Sequence, residues 1–275
     1  MNILIIGAGK MGSWMAAVLQ EEHQVALLEK NPGRQKTTPV PLLESTASIA
    51  AFNPDMVINA VNLEATLTVF GEVTQYLQPK TILADMASVK NGLPRFYLNS
   101  GFPFVSTHPM FGPTFADMTR LNNENAIIIE ESGETGKGFF LEVFRSLGLQ
   151  IHFMSFRQHD QSMSESLSVP FILSLLFASK TDQKVRPGTT YAQHLRIARA
   201  LLSEDDRLLA EVLMNRATVE QINHLEDLLL KIKCMIQENA QEGLLQFIHS
   251  TRAHLQATTP PKIPAKSTDP ENDGV

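Results

Sequence analysis

The chain has 275 residues, 43% of them hydrophobic and 19% charged, with a formal net charge of -6. That composition supplies a sizeable core, favours two domains over one, and makes non-specific nucleic-acid binding a poor fit, so an anionic ligand would need a locally basic site. The single cysteine, Cys234, rules out an intrachain disulfide and suits a reducing compartment; no signal peptide and no apolar run near the ~20 residues of a bilayer span is read, so the expectation is a cytoplasmic protein without a membrane partner.

In chain order, residues 2–7 (NILIIG) are a continuous apolar run of buried-strand type, and residues 10–23 read as a helix. QVALLE (24–29) is a second strand and residues 31–41 are loop-like. DMVINAV (55–61) is a strand, residues 64–77 have helical spacing, and TILADMAS (81–88) is another strand. A short helix with a loop (92–101) leads to the strand FPFVSTH (102–108). NAIIIEE (125–131) and IHFMSF (151–156) are further strands around a helix at 137–148. Strands joined by helices predict an α/β, Rossmann-type, doubly wound parallel sheet over residues 1–157.

Strand signals then stop. Residues 160–180, 191–203, 206–240 and 242–255 all show helical periodicity, with Pro187-Gly188 marking a break. The expectation is an all-α second domain over residues 158–257. Residues 258–275 are Pro-rich and polar, which predicts a disordered tail.

Two signals carry chemistry. Gly7-Ala8-Gly9-Lys10-Met11-Gly12 is a G-x-G-x-x-G between a strand and a helix, the context in which it binds a dinucleotide. Gly7 permits the tight turn, Gly9 lets the pyrophosphate reach the backbone, and Gly12 lets the helix pack on the sheet. The amides opening the helix at Lys10 and Met11 face the phosphates. Glu29, at the end of the second strand, can accept from both ribose hydroxyls and repels a 2′-phosphate, which favours NAD over NADP; Lys30 and Arg34 close behind soften that preference. Asn62, beyond DMVINAV, either touches ribose or nicotinamide or caps the next helix. No metal-ligand cluster is read.

The second signal lies at two later strand ends. LADMASVKNG presents Asp85, Ser88 and Lys90, and VSTHPMFGPT (105–114) presents His108 on a loop stiffened by Pro109 and Pro113, with Gly112 allowing close approach. Hydride removal from an alcohol carbon requires a base for the hydroxyl proton. A histidine with pKa near 6.5 suits that work, and a serine can orient it. Turnover should then rise with pH through the histidine range.

The set GAGKMG, DMASVK, THPMFGP, NAIII and QHDQSM, followed by helices, resembles the prephenate dehydrogenase family, which includes arogenate dehydrogenases. The resemblance covers most of residues 1–256 and is most specific at STHPMFGP. It implies NAD-dependent oxidative decarboxylation of prephenate to 4-hydroxyphenylpyruvate on the route to tyrosine, with His108 as the catalytic histidine, Ser88 assisting it, and a homodimer formed by the helical domain. His159-Asp160 matches the His-Asp that opens that domain; as a plain helix start, Asp160 would sit near the cap and His159 just outside it. The sequence departs from the family at Val169, where many members carry a histidine, and at Ala200, where many carry a carboxylate-gripping arginine. Candidates for the substrate carboxylates are therefore Lys90, Thr189, Thr190, His194, Arg196 and Arg199. The alternatives are arogenate as substrate, another small hydroxy acid, or a non-catalytic NAD-binding sensor.

Overall fold

The computed structural model describes residues 1–31, 40–112, 120–182, 184, 186 and 188–258. Seven strands form one sheet in the order β2-β1-β3-β4-β5-β6-β7: β1 Asn2–Ile6, β2 Gln24–Leu28, β3 Met56–Asn59, β4 Ile82–Asp85, β5 Phe104–Pro109, β6 Asn125–Ile129 and β7 Gln150–Met154. The inner strands read as unbroken apolar runs because helices cover both faces, so neither face alternates with water. One face packs Ile3, Ile5, Met15, Phe140 and Phe144. The other packs Leu4, Val57, Phe70, Tyr97, Phe156 and Met163.

Helices α1 Lys10–Leu19, α2 Ser48–Phe52, α3 Leu63–Val73, α4 Leu93–Ser100 and α5 Glu134–Ser146 lie among the strands. α2 falls in a stretch where no element is expected from the sequence. The expected all-parallel sheet holds for β1 to β5, but β6 runs antiparallel to β5, and β7 is parallel to β6. β6 starts beside the end of β5, with the Met110 N–H donating to Asn125 O at 2.8 Å, and this pairing fixes the antiparallel direction. Pro113, Arg34, Pro187 and residues 259–275 lie outside the described residues.

From Phe156 onward the described chain is helical: α6 Phe156–Met163, a π-helical turn Ser164–Ser168, α7 Val169–Ser179, α8 Thr189–Leu201, α9 Asp206–Leu213, α10 Thr218–Gln237 and α11 Gln241–Ala257. The long helical stretch expected over 206–240 is broken between α9 and α10. There the buried Asn215 accepts from the Ala217 N–H and donates to the Asp160 carbonyl, a local turn that ends one helix and starts the next. The helix expected to begin near Asp160 begins at Phe156. Ser155 caps it, and Ser155 and Gln158 form a capping box, so His159 and Asp160 sit inside the first turns.

One helical run, Phe156–Ser179, is 24 residues long and contains an 18-residue window of mean hydropathy 1.3, so by length and composition alone it could cross a bilayer, a span the sequence expectation does not include. Its start is tied to the sheet: Phe156, His159 and Met163 are buried against it, and Asp160 accepts from the Lys90 N–H.

Candidate active site at the carboxyl edge of the sheet

The glycine fingerprint follows β1 directly. Gly7 has φ +99, a conformation that disfavours a side chain, and a Cβ there would lie 3.0 Å from Ala60 O. A Cβ on Gly12 would lie 1.9 Å from Gly7 O, so helix α1 can start this close to the turn only with glycine. Gly9 is the N-cap of α1 and no side chain caps the helix, which leaves the start of α1 open to an anion. Lys10 is exposed and Met11 packs against the core. Glu29 closes over the same turn. Its Oε2 accepts from the Ala8 N–H at 2.8 Å and its Oε1 from the Asn31 N–H at 2.7 Å. Asn62 is the exposed N-cap of α3 and makes no side-chain cap bond. These residues converge at the carboxyl ends of β1, β2 and β3, where β2 and β3 lie on either side of β1, the switch point of the sheet order.

Next to this edge, β4 and β5 deliver a dense polar cluster. Asp85 is fully buried at the end of β4. Its carboxylate accepts from Lys90 Nζ at 2.6 Å, from Tyr97 OH at 2.7 Å and from the Ala87 N–H at 3.1 Å. Lys90 Nζ also donates to the Thr107 carbonyl at 2.7 Å, and Thr107 Oγ1 donates to the Asp85 carbonyl at 2.9 Å. Burial pulls the Lys90 ammonium below its usual value against the opposing pull of Asp85, and burial together with Asp85 raises the Tyr97 phenol well above 10. Lys90, a candidate for gripping substrate, is instead enclosed and holds β4 to β5.

His108 lies on β5 beside this cluster, opposite Ile127 of β6, and is 6% exposed. Its Nδ1 lies 3.1 Å from Nε2 of His159, whose Nδ1 lies 3.0 Å from Asp160 Oδ1. Burial, then His159 and Lys90, holds His108 well below its ordinary 6.5; burial also lowers His159, with Asp160 opposing. That shift favours the neutral ring, the form able to accept a proton. Ser88 sits half-buried in the turn between Asp85 and Lys90, on the same edge.

The helical candidates are placed differently. Thr189, Thr190, His194, Arg196 and Arg199 are all exposed on α8. Among the described residues, the His194 ring bonds Thr190 O and packs on Phe177, and Arg196 bonds Gln193, so their contacts stay on α8 and its neighbour α7. Val169 follows the π turn, whose Ser168 donates to Val212 O and accepts from Thr218. Among the described residues no group of three or more His, Cys, Asp or Glu side chains could hold a metal ion. Sequence reasoning missed the contact between His108 and His159 and the Asp85–Lys90–Tyr97 cluster. The S-x-x-Q of residues 155–158 was a legible signal for the start of α6; nothing local marks the rest.

A glycine turn at the switch point of a largely parallel sheet, with an acid closing over it and helices following, defines a nucleotide-binding protein of the Rossmann class. Residues 15–144, just under half of the chain, match the family described as prephenate dehydrogenase, nucleotide-binding domain. The chain is 22% identical over 268 residues to the T-protein of Haemophilus influenzae and 21% identical over 272 residues to a probable arogenate/prephenate dehydrogenase of Methanocaldococcus jannaschii. Both alignments cover 91% of this chain, which spans only 66% and 60% of those relatives' lengths. The fold matches that of prephenate dehydrogenase from Aquifex aeolicus, solved with hydroxyphenyl propionate and NAD+, at a TM-score of 0.79 and 19% identity, covering 93% of this chain and 97% of that one. Synechocystis arogenate dehydrogenase gives a TM-score of 0.73 at 16% identity, covering 93% and 99%.

Proposed function

We propose that the protein is an NAD-dependent dehydrogenase that oxidatively decarboxylates prephenate to 4-hydroxyphenylpyruvate. The observation that carries this reading is the placement of a neutral, hydrogen-bonded His108 beside the sheet edge that holds the Gly7–Gly12 turn. NAD is the cofactor: the start of α1 and Gly9 receive its pyrophosphate, and the Glu29 carboxylate takes the ribose hydroxyls. Bound there, it supplies the hydride acceptor. His108 takes the proton of the ring hydroxyl and Ser88 orients that hydroxyl. Because His108 is held below 6.5, turnover rises with pH through an inflection under the ordinary histidine range, lower than the sequence alone suggests.

The helical part, residues 158–257, forms the second, substrate and dimerisation domain. Leu176, Leu229, Leu230, Ile236 and Leu255 are each more than half exposed, an apolar surface of the kind a second copy covers. The same cover accounts for the apolar run Phe156–Ser179 without a membrane, and the reading is of a soluble biosynthetic enzyme. Thr189, Thr190, His194, Arg196 and Arg199 are the side chains left on α8 to meet substrate carboxylates.

Arogenate is the second reading. Among the described residues, the cation that acts on His108 is Lys90, and Asp85 already pairs with it. A site poor in free positive charge suits arogenate, whose amino group offsets one of the two carboxylates. The test is absorbance at the reduced-nicotinamide band with prephenate or arogenate and NAD or NADP. Reduction with prephenate and NAD is expected; reduction with arogenate alone moves the substrate and keeps the mechanism. No reduction with any pair, despite NAD binding, overturns the enzyme reading in favour of a sensor. His108→Ala should abolish turnover and leave NAD binding nearly intact.

A further inference from the structure

His108 and His159 are 51 residues apart in the chain, on β5 and α6, yet their rings meet edge to face with centroids 5.2 Å apart. The contact is directional. His159 Nδ1 lies 3.0 Å from Asp160 Oδ1, and a carboxylate only accepts, so that nitrogen carries a hydrogen. A neutral imidazole has one N–H, so Nε2 of His159 is bare and accepts. Across 3.1 Å, His108 Nδ1 must then be the donor, and the lone pair of His108 falls on Nε2. Asp160 is itself fixed from two sides: Oδ1 accepts from the Lys90 N–H at 3.0 Å and its carbonyl accepts from Asn215 Nδ2 at 2.7 Å.

We propose that His159 and Asp160 are positioning residues that lock His108 in its Nδ1–H tautomer, so that Nε2 is the atom that takes the substrate proton. The proposal rests on the reading of His108 as the base. In the step, the ring O–H bond breaks and an N–H bond forms at His108 Nε2. A nicotinamide cofactor held at the Gly7–Gly12 turn and Glu29 would supply the acceptor for the carbinol hydride, and the oxygen electron pair left behind would close the ring C=O. Carbon dioxide then leaves, its bonding pair aromatises the ring, and the phenolate oxygen recovers the proton from Nε2. The imidazolium formed in between keeps its Nδ1–H directed at His159, and His159 keeps its own N–H directed at Asp160. Released from His159, neutral His108 is free to carry its hydrogen on Nε2, where it blocks proton uptake. The charged groups facing the pair are Asp85 and Lys90 from β4 and the turn after it, and Asp160 from α6.

The test joins a spectroscopic and a kinetic arm. In holoprotein carrying 15N-labelled histidine, His108 should show a protonated Nδ1 and a bare Nε2, and in His159→Leu that pattern should reverse or average. His159→Leu should lower kcat on the order of 10²-fold, with KM and NAD affinity within about twofold of wild type. His159→Gln, whose amide oxygen can accept from His108 Nδ1, should recover part of that loss. Adding His159→Leu to His108→Ala should cost nothing further. A bare Nδ1 on His108 in the wild type, or unchanged kcat in His159→Leu, overturns the proposal. Survival of turnover in His108→Ala overturns the base assignment on which the proposal stands, whereas loss in His108→Ala with retention in His159→Leu overturns the positioning role alone. If His159→Leu does not fold, the wild-type spectrum decides.

Discussion

Replacing Lys90 with Met isolates what the buried ion pair does. Methionine fills most of the lysine stem, so little cavity forms and the change is chiefly electrostatic. Lys90 Nζ donates to Asp85 at 2.6 Å and to the Thr107 carbonyl at 2.7 Å, and both charged side chains are wholly buried. After substitution the Asp85 carboxylate keeps only the Ala87 N–H and the Tyr97 hydroxyl among the partners described above, and the Thr107 carbonyl loses its charged donor. Stranding one member of a buried pair costs about 3–5 kcal/mol. For a chain of this size that is a fall in Tm of about 10 °C. Asp85→Asn added to Lys90→Met removes the stranded charge and should restore about 1–3 kcal/mol. Urea unfolding followed by circular dichroism, on wild type, both single variants and the double, measures the coupling. A loss under about 1 kcal/mol in Lys90→Met, or strict additivity in the double variant, would refute the assignment of Lys90 to holding β4 on β5.

Gly12→Ala places a Cβ 1.9 Å from Gly7 O, and backbone must move to relieve it; NAD affinity measured by calorimetry should fall more than about tenfold, with a stability loss of about 1–3 kcal/mol. Wild-type affinity in that variant would show that the turn does not hold the pyrophosphate. Acid sensitivity follows from the two histidines. Both are held below 6.5 in the folded chain, so between that value and their folded pKa values the unfolded state binds more protons, and stability rises with pH there. Denaturation midpoints should therefore fall as pH drops below about 6.5, and less steeply in His108→Ala; equal slopes in the two proteins would contradict this. Glu29→Gln removes the carboxylate that accepts from Ala8 and repels a 2′-phosphate, so the ratio of NAD to NADP affinity should drop about tenfold, and an unchanged ratio would place cofactor choice elsewhere.

Local sequence was sufficient to reveal the seven strands, because the inner ones are apolar runs bounded by turn residues and the largely exposed β7 still carries Ile151, Phe153 and Met154, and to reveal the glycine turn, whose steric demand lies within six residues. The same locality made His108 visible at the end of β5. What the sequence could not settle was pairing. Nothing local says that β6 reverses direction, since the reversal depends on its pairing with β5. Nothing local says that Lys90 is turned inward to Asp85 rather than outward to substrate, because a lysine after a strand reads the same either way. His159 reads as a helix-start residue until α6 is packed on β6 and β7, when its ring meets His108 across 51 residues of chain. Asn215 is one polar residue in a helical stretch until the Asp160 carbonyl gives it a partner. The sequence by itself determined the nucleotide-binding sheet and the place of His108 at the end of one of its strands, both written in short-range patterns. Only the tertiary structure decided that His108 meets His159 and that the Lys90 ammonium pairs with Asp85, because both depend on partners that the chain brings together only when it folds.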